Sequence, residues 1–118
     1  MIRVAAIWTL AIVIGLLFVL IGLSKIAGPS ADHWAERLSH WGYPAAARYV
    51  IGAVEMLAGL GVLFPPLRRP AAITLMVVMA GALVTHVVHG EFVRLISPLI
   101  LGGALYALYS VPSRNPTT

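Results

Sequence analysis

Residues Val4 to Leu23 read VAAIWTLAIVIGLLFVLIGL, an apolar run of about twenty residues without a charge. A helix of roughly 20 such residues crosses the hydrocarbon core of a bilayer, so this stretch predicts a membrane span. Met1-Ile2-Arg3 ahead of it resembles the basic start of a secretion signal. The run is longer than the roughly 7–15 apolar residues of such a signal, so it reads as a retained span. Further along the chain the pattern repeats. Three more apolar stretches occupy residues 44–64, 71–89 and 92–110. With them, 60% of the 118 residues are apolar and 10% charged, and the mean hydropathy is +0.95. A soluble domain has roughly 25% charged residues, which excludes that class.

The connections decide how the spans are arranged. Pro65-Pro66-Leu67-Arg68-Arg69-Pro70 reads as a stiff turn and Gly90-Glu91 as another; turns this short make neighbouring helices antiparallel. The longer connection, Ser24 to Tyr43, has a pattern of its own. Gly28-Pro29 breaks the first helix, Ser30 or Asp32 is placed to cap a new one, and Gly42 stops it. Between them Trp34, Leu38 and Trp41 recur at helical spacing, opposite Asp32, Glu36, Arg37 and His40. That is the composition of a helix lying in the headgroup plane. Pro44 suits the first turn of the second span, and Pro98 is expected to kink the fourth. The predicted fold is therefore all-α: an antiparallel four-transmembrane-helix bundle with a short amphipathic interfacial helix between the first and second spans. It forms one domain, residues 1–110, followed by a polar tail, residues 111–118, rich in proline and threonine.

Composition also limits the chemistry. Without cysteine there is no thiol nucleophile, disulfide exchange or thiolate metal site. No phosphate-binding glycine loop, GxSxG elbow, HExxH or Ser/His/Asp set occurs. The net charge of +4 and pI near 10.1 come from basic residues scattered over helix ends and loops. They read as contacts to the lipid bilayer and as topology signals, not as a nucleic-acid surface. Arg3, Arg68, Arg69 and Arg114 fall on one side and Lys25, Arg37, Arg48 and Arg94 on the other, a tie. The compact pair Arg68-Arg69, free of carboxylates, tips the expectation to a multi-pass protein of the plasma or inner membrane with cytoplasmic termini.

Ionisable residues inside a span cost roughly 2.5–3.5 kcal/mol on insertion scales, so their placement carries information. Helical neighbours on one face sit three, four and seven residues apart. Gly15, Phe18, Gly22 and Lys25 form such a stripe on the first span; Arg48, Gly52, Glu55 and Gly59 form one on the second; Met79, Ala82, His86 and His89 on the third; Gly102, Tyr106 and Tyr109 on the fourth. At about 1.5 Å per residue, Glu55 lies roughly 16 Å below Pro44, near the midplane. Antiparallel packing then gathers Lys25, Arg48, Glu55, His86 and His89 in one half of the bilayer. Two accounts of this face are open. In one, the charges neutralise each other, Glu55 pairing with Arg48 or a histidine, and hold the helices together. In the other, they line a pocket beneath the amphipathic helix, with Glu55 and His86 exchanging protons and Lys25, Arg48 and His89 binding or biasing a ligand. His86 and His89, three apart on one helix, supply too few ligands for zinc or di-iron and do not come from different helices as axial haem ligands do, so neither metal nor haem is expected.

The same residues carry a family resemblance. Gly22 to Lys25 has a Gly-x-x-Lys spacing at the end of the first span, and Gly42 and Pro44 give Gly-x-Pro in the loop. Gly52-Ala53-Val54-Glu55-Met56-Leu57-Ala58-Gly59-Leu60 contains Gly-x-x-Glu, and after an arginine turn comes a Met- and Ala-rich span ending in histidine. In these features, over roughly residues 10–110, the chain resembles the DoxX family of small four-helix membrane proteins. The resemblance implies a subunit of a membrane oxidoreductase complex with a separate protein partner, and it places Lys25, Glu55 and His86 at the family's polar positions and Gly52 and Gly59 at its packing positions. The function then expected is binding of a quinone or similar lipophilic molecule within a redox system, possession of independent catalytic activity being open. A non-enzymatic scaffold or assembly factor is the alternative, and a small transporter or channel formed by a homo-oligomer is a third.

Overall fold

Nothing between Ile2 and Ile26 interrupts helix formation: there is no proline, and the single threonine, Thr9, returns its hydroxyl to the Ala5 carbonyl at 2.8 Å. In the computed structural model, which describes residues 2–111, this stretch is one helix, α1 (Ile2–Ile26). It is followed by α2 (Ala31–His40), α3 (Ala47–Val62), α4 (Pro65–Val88), a 3-10 turn (Phe92–Leu95) and α5 (Ile96–Ser110). Gly28, Gly42 and Gly90, the residues that end α1, α2 and α4, adopt positive φ. Among the described residues the protein is all-helical. Three segments, Ile2–Ile26, Pro65–Val88 and Phe92–Ser110, are long and apolar enough to cross a membrane. The tail expected at 111–118 lies, beyond Val111, outside the described residues.

The helix ends differ from the expected boundaries for local reasons. The second apolar stretch contracts to the 16 residues of α3, because Pro44 to Ala46 form a turn in which the Ala47 N–H donates to the Pro44 carbonyl at 2.9 Å. Residues 65–70, expected as a turn, are the start of α4. Pro65 and Pro66 occupy its first positions, where no N–H is needed, so the α3–α4 turn is only Leu63 and Phe64. Arg68 is consequently buried on α4, its Nε donating to the Val62 carbonyl at the end of α3 at 2.8 Å and its guanidinium 4.8 Å from the Trp8 ring. Arg69 stacks over Tyr109 at 4.6 Å. Pro98 lies in the first turn of α5, so the change of helix type precedes it and no proline interrupts the middle of that segment. Neither Ser30 nor Asp32 makes a side-chain cap; the Gly28 and Ser30 carbonyls open α2 by accepting from Ala31 and Trp34.

The stripes on α1 and α3 are the buried faces of those helices: Gly15, Phe18, Gly22 and Lys25 on one, Gly52, Glu55 and Gly59 on the other. They meet backbone to backbone. A Cβ on Gly15 would stand 2.8 Å from the Gly59 carbonyl oxygen, and one on Gly52 would stand 2.7 Å from that of Gly22. Pairing 15 with 59 and 22 with 52 makes the two helices antiparallel. α3 also packs on α4, α4 on α5, and α5 reaches α1. The stripe expected on α5 is only partly its inner face: Gly102 and Tyr109 are half-buried, Tyr109 against the core, but Tyr106 is exposed, and the fully buried residues are Pro98, Leu105 and Leu108.

The apolar core of Ala11, Phe18, Val62, Leu75, Leu105 and Leu108 lies towards the end of the molecule where α1 begins and α5 ends. The other end is polar. There α2 packs on α1 and α3, burying Ala31 and Leu38.

Candidate functional site

Helical side chains lean towards the N-terminus of their helix. Lys25, in the last turn of α1, therefore runs back towards the middle of the packed helices, and Glu55 on the antiparallel α3 leans to meet it. Their atoms join across the Gly22–Gly52 contact, Lys25 Nζ donating to Glu55 Oε1 at 2.6 Å. The Trp34 ring covers the ammonium, 4.5 Å from its centroid. Glu55 has no exposed surface, and its Oε2 is buried without a hydrogen-bond partner.

A cavity of about 220 Å³ lies beneath α2, between the Lys25–Glu55 pair and His86. Leu38, Ile51 and Val78 supply apolar walls; Trp41, Tyr43 and Thr85 line its polar side. The Thr85 hydroxyl donates to the Gly81 carbonyl at 2.9 Å, so at the 2.6 Å contact between Tyr43 and Thr85 the phenol is the donor. His86 Nδ1 lies 2.9 Å from Glu91 Oε1, and the Trp41 indole N–H donates to the same oxygen at 3.0 Å. Bonding of Nδ1 to a carboxylate leaves Nε2 as the ring nitrogen for a ligand. Trp41 meets the His86 ring edge-on, centroids 5.4 Å apart. A second cavity, about 390 Å³, opens on the α5 side; Lys25, Glu55 and His86 form the wall that the two share.

Of the residues read from sequence, Lys25, Glu55 and His86 come together. Arg48 and His89 do not. Arg48 turns outward, bonding the Tyr49 hydroxyl at 2.6 Å and lying 3.4 Å from the Lys25 carbonyl, where it serves the end of α1. His89 is exposed just past the end of α4, with Nδ1 2.8 Å from the Thr85 carbonyl. Arg37, expected opposite the tryptophans, lies between their rings, at 4.6 Å from Trp34 and 5.0 Å from Trp41. Glu91 was legible in sequence only as a turn residue; a carboxylate following a histidine-ended helix and a glycine turn is the signal that marks it. Tyr43 and Thr85 carry no such signal. Among the described residues no group of three or more His, Asp or Glu is arranged to hold a metal ion.

This geometry has a counterpart in sequence comparison. Residues 3–108 match the DoxX-like family. The chain belongs to that family. Three apolar helices in a DoxX-like chain make it an integral membrane protein, in contact with the bilayer. Among curated proteins none matches the chain.

Outside the membrane segments of this DoxX-like protein, the hydrogen bond from His86 holds the Glu91 carboxyl below the usual carboxylate range, assisted by Arg94 and Trp41 against a smaller opposing effect of burial. A depressed carboxyl contributes stability that is complete above its unfolded-state pKa and is lost as pH falls through the folded-state value. Acidification below the ordinary carboxylate range is therefore expected to release Trp41 from Glu91 and loosen α2. Tryptophan fluorescence checks this: wild type should show an acid transition that Glu91→Gln lacks, and identical curves would contradict the assignment.

Proposed function

We propose that this DoxX-like protein crosses the membrane four times, with cytoplasmic ends, and binds a quinone or a similar lipophilic molecule in the cavity beneath α2, as a subunit of a redox system whose electron-transferring partner is another protein. Connectivity supports the fourth crossing: α1 ends beside α2, α4 begins at the end where α1 begins and α5 ends, and α3 joins the two. Its 16 residues rise about 24 Å, and Arg48, which turns outward in its first turn, would tolerate local thinning of the bilayer.

The observation that carries the binding reading is the buried Glu55 Oε2 without a partner, behind a cavity with apolar walls and Lys25, Tyr43 and His86 at its polar side. A ring bearing carbonyl or hydroxyl groups suits that mixture. A quinone supplies two-electron, two-proton chemistry when bound. The residues' share is to hold its headgroup: Lys25 and His86 line the cavity, Glu55 acts from behind Lys25 by fixing its ammonium, and the Glu91 hydrogen bond orients the imidazole. A scaffold role is the second reading, favoured by the complete burial of Glu55 at a glycine-tight helix crossing.

Solvent extraction and mass spectrometry of the purified protein test the first reading. Wild type is expected to carry near-stoichiometric quinone, and His86→Gln and the double variant Lys25→Met/Glu55→Leu to lose it. Bulk phospholipid alone in all three would transfer the weight to the scaffold.

A further inference from the structure

The larger cavity has a different character from the one beneath α2. Its mouth holds Arg37 of α2 and Arg94 of the 3-10 turn, with Ser97 beside them; deeper in, Ile21 of α1 and Leu101 of α5 form apolar walls. The positive charge at the mouth is balanced only at a distance, by Glu91, which acts on both arginines without pairing with either. Lys25 is taken by Glu55, and Glu91 is bonded to His86 and Trp41. Among the described residues neither Arg37 nor Arg94 has a carboxylate within 4 Å. Arg37 is held in place by the flanking indoles, and its Nε is enclosed with no acceptor. Burial and the charge of Arg94 both push its guanidinium below the ordinary value, with Glu91 opposing. Two guanidiniums thus converge, one of them immobilised, with Glu36 and Glu91 lining a neighbouring cavity but, among the described residues, no carboxylate in direct contact with either.

We infer that this groove between α1, α2 and α5 binds the phosphate of an anionic lipid headgroup, with Arg37 and Arg94 as its ligands. Guanidinium pairs match phosphate oxygens in geometry and charge. The order of surfaces, cationic at the mouth and apolar within, follows that of an amphiphile, and the mouth lies at the end of α5 where the headgroups of a surrounding bilayer stand. The site is separate from the cavity beneath α2, although the Lys25–Glu55 pair and His86 form the wall between them, and it does not depend on what that cavity binds.

The test is thermal melting and native mass spectrometry of the full chain in a phosphate-free maltoside detergent. The probes are dioctanoyl phosphatidylglycerol, dioctanoylglycerol as its phosphate-free counterpart, and inorganic phosphate. Phosphatidylglycerol is expected to raise the melting temperature and appear as one bound molecule, while dioctanoylglycerol does neither. Arg94→Gln, a change on an exposed turn residue, is expected to weaken that binding about tenfold, as loss of one charge-assisted hydrogen bond does; Arg37→Gln should weaken it by at least as much. An equal shift with inorganic phosphate alone would assign the groove to a free oxyanion and overturn the lipid. So would a shift produced equally by dioctanoylglycerol, or one unchanged in both variants. No shift with any probe would remove the site altogether. Quinone extraction from Arg94→Gln should match wild type, so the two readings fail separately.

Discussion

Glu55→Gln is expected to destabilise the protein by about 3–5 kcal/mol, the cost of leaving one partner of a buried ion pair alone. The Lys25 ammonium lies 2.6 Å from Glu55 Oε1 with the Trp34 ring over it. Removing the carboxylate charge leaves a largely buried cation without its ion-pair partner, and an indole offers about 2 kcal/mol at best for a desolvated cation. Lys25→Met, which strands the carboxylate, should cost a similar amount. The double variant Lys25→Met/Glu55→Leu should recover most of the loss, because apolar side chains of similar volume commonly replace a buried pair without penalty. Thermal melting in detergent reads all three. A Glu55→Gln protein as stable as wild type would mean that the pair is not ionised, and a double variant as unstable as the singles would mean that the site cannot repack. The double variant is also the form that separates folding from ligand binding, which is why the extraction experiment uses it.

The second large effect concerns the crossing of α1 and α3. Gly22→Ala and Gly52→Ala should each cost about 1–3 kcal/mol or more, the range for overpacking a filled interior. At both positions the new methyl meets backbone: a Cβ on Gly22 would lie 2.9 Å from the Met56 nitrogen, and one on Gly52 would lie 2.7 Å from the Gly22 oxygen. Backbone atoms cannot swing away as a side-chain end does, so the helices must separate. Lys25 and Glu55 sit three residues beyond these glycines, and the separation would stretch their bond as well. Gly103→Ala on α5 is the internal control. Nothing lies within 4 Å of the Cβ it would add, and alanine's better helix propensity predicts no loss. Equal melting temperatures for Gly52→Ala and Gly103→Ala would refute the close crossing.

Much of this arrangement was legible in the residues themselves. The α1 stripe from Gly15 to Lys25 and the α3 stripe from Gly52 to Gly59 are buried as their spacing predicts, because a helix of known period turns sequence distance directly into direction. The charge-free run from Val4 to Leu23 likewise lies within α1, since apolar length alone decides whether a helix suits a bilayer. The juxtaposition of Lys25, Glu55 and His86 follows from antiparallel order and depth, with no contact information.

Periodicity does not say which of several possible partners a long side chain takes. Arg48 or a histidine is the partner that the stripes suggest for Glu55; Lys25 takes that place instead, because its side chain leans back along α1 into the interior, while Arg48, in the first turn of α3, leans outward. Helix limits set by proline were misread for the same reason that proline is ambiguous: Pro65 and Pro66 break a preceding helix and begin a new one equally well, and Arg68 became a buried ligand of the Val62 carbonyl only because the second outcome holds. The links from Trp41 and His86 to Glu91, and from Tyr43 to Thr85, join residues from 5 to 50 positions apart. The two long-range links exist because the segment that follows α2, packed on α1 and α3, brings Trp41 and Tyr43 beside the end of α4. Sequence by itself determined that the chain is helical and apolar enough for a membrane, the buried faces of α1 and α3, and the meeting of Lys25, Glu55 and His86. Tertiary structure decided the helix limits, which charges pair and which of them, Arg37 and Arg94, have no carboxylate in direct contact among the described residues, since hydrogen bonds and ion pairs depend on separations of a few ångströms that only the packed helices establish.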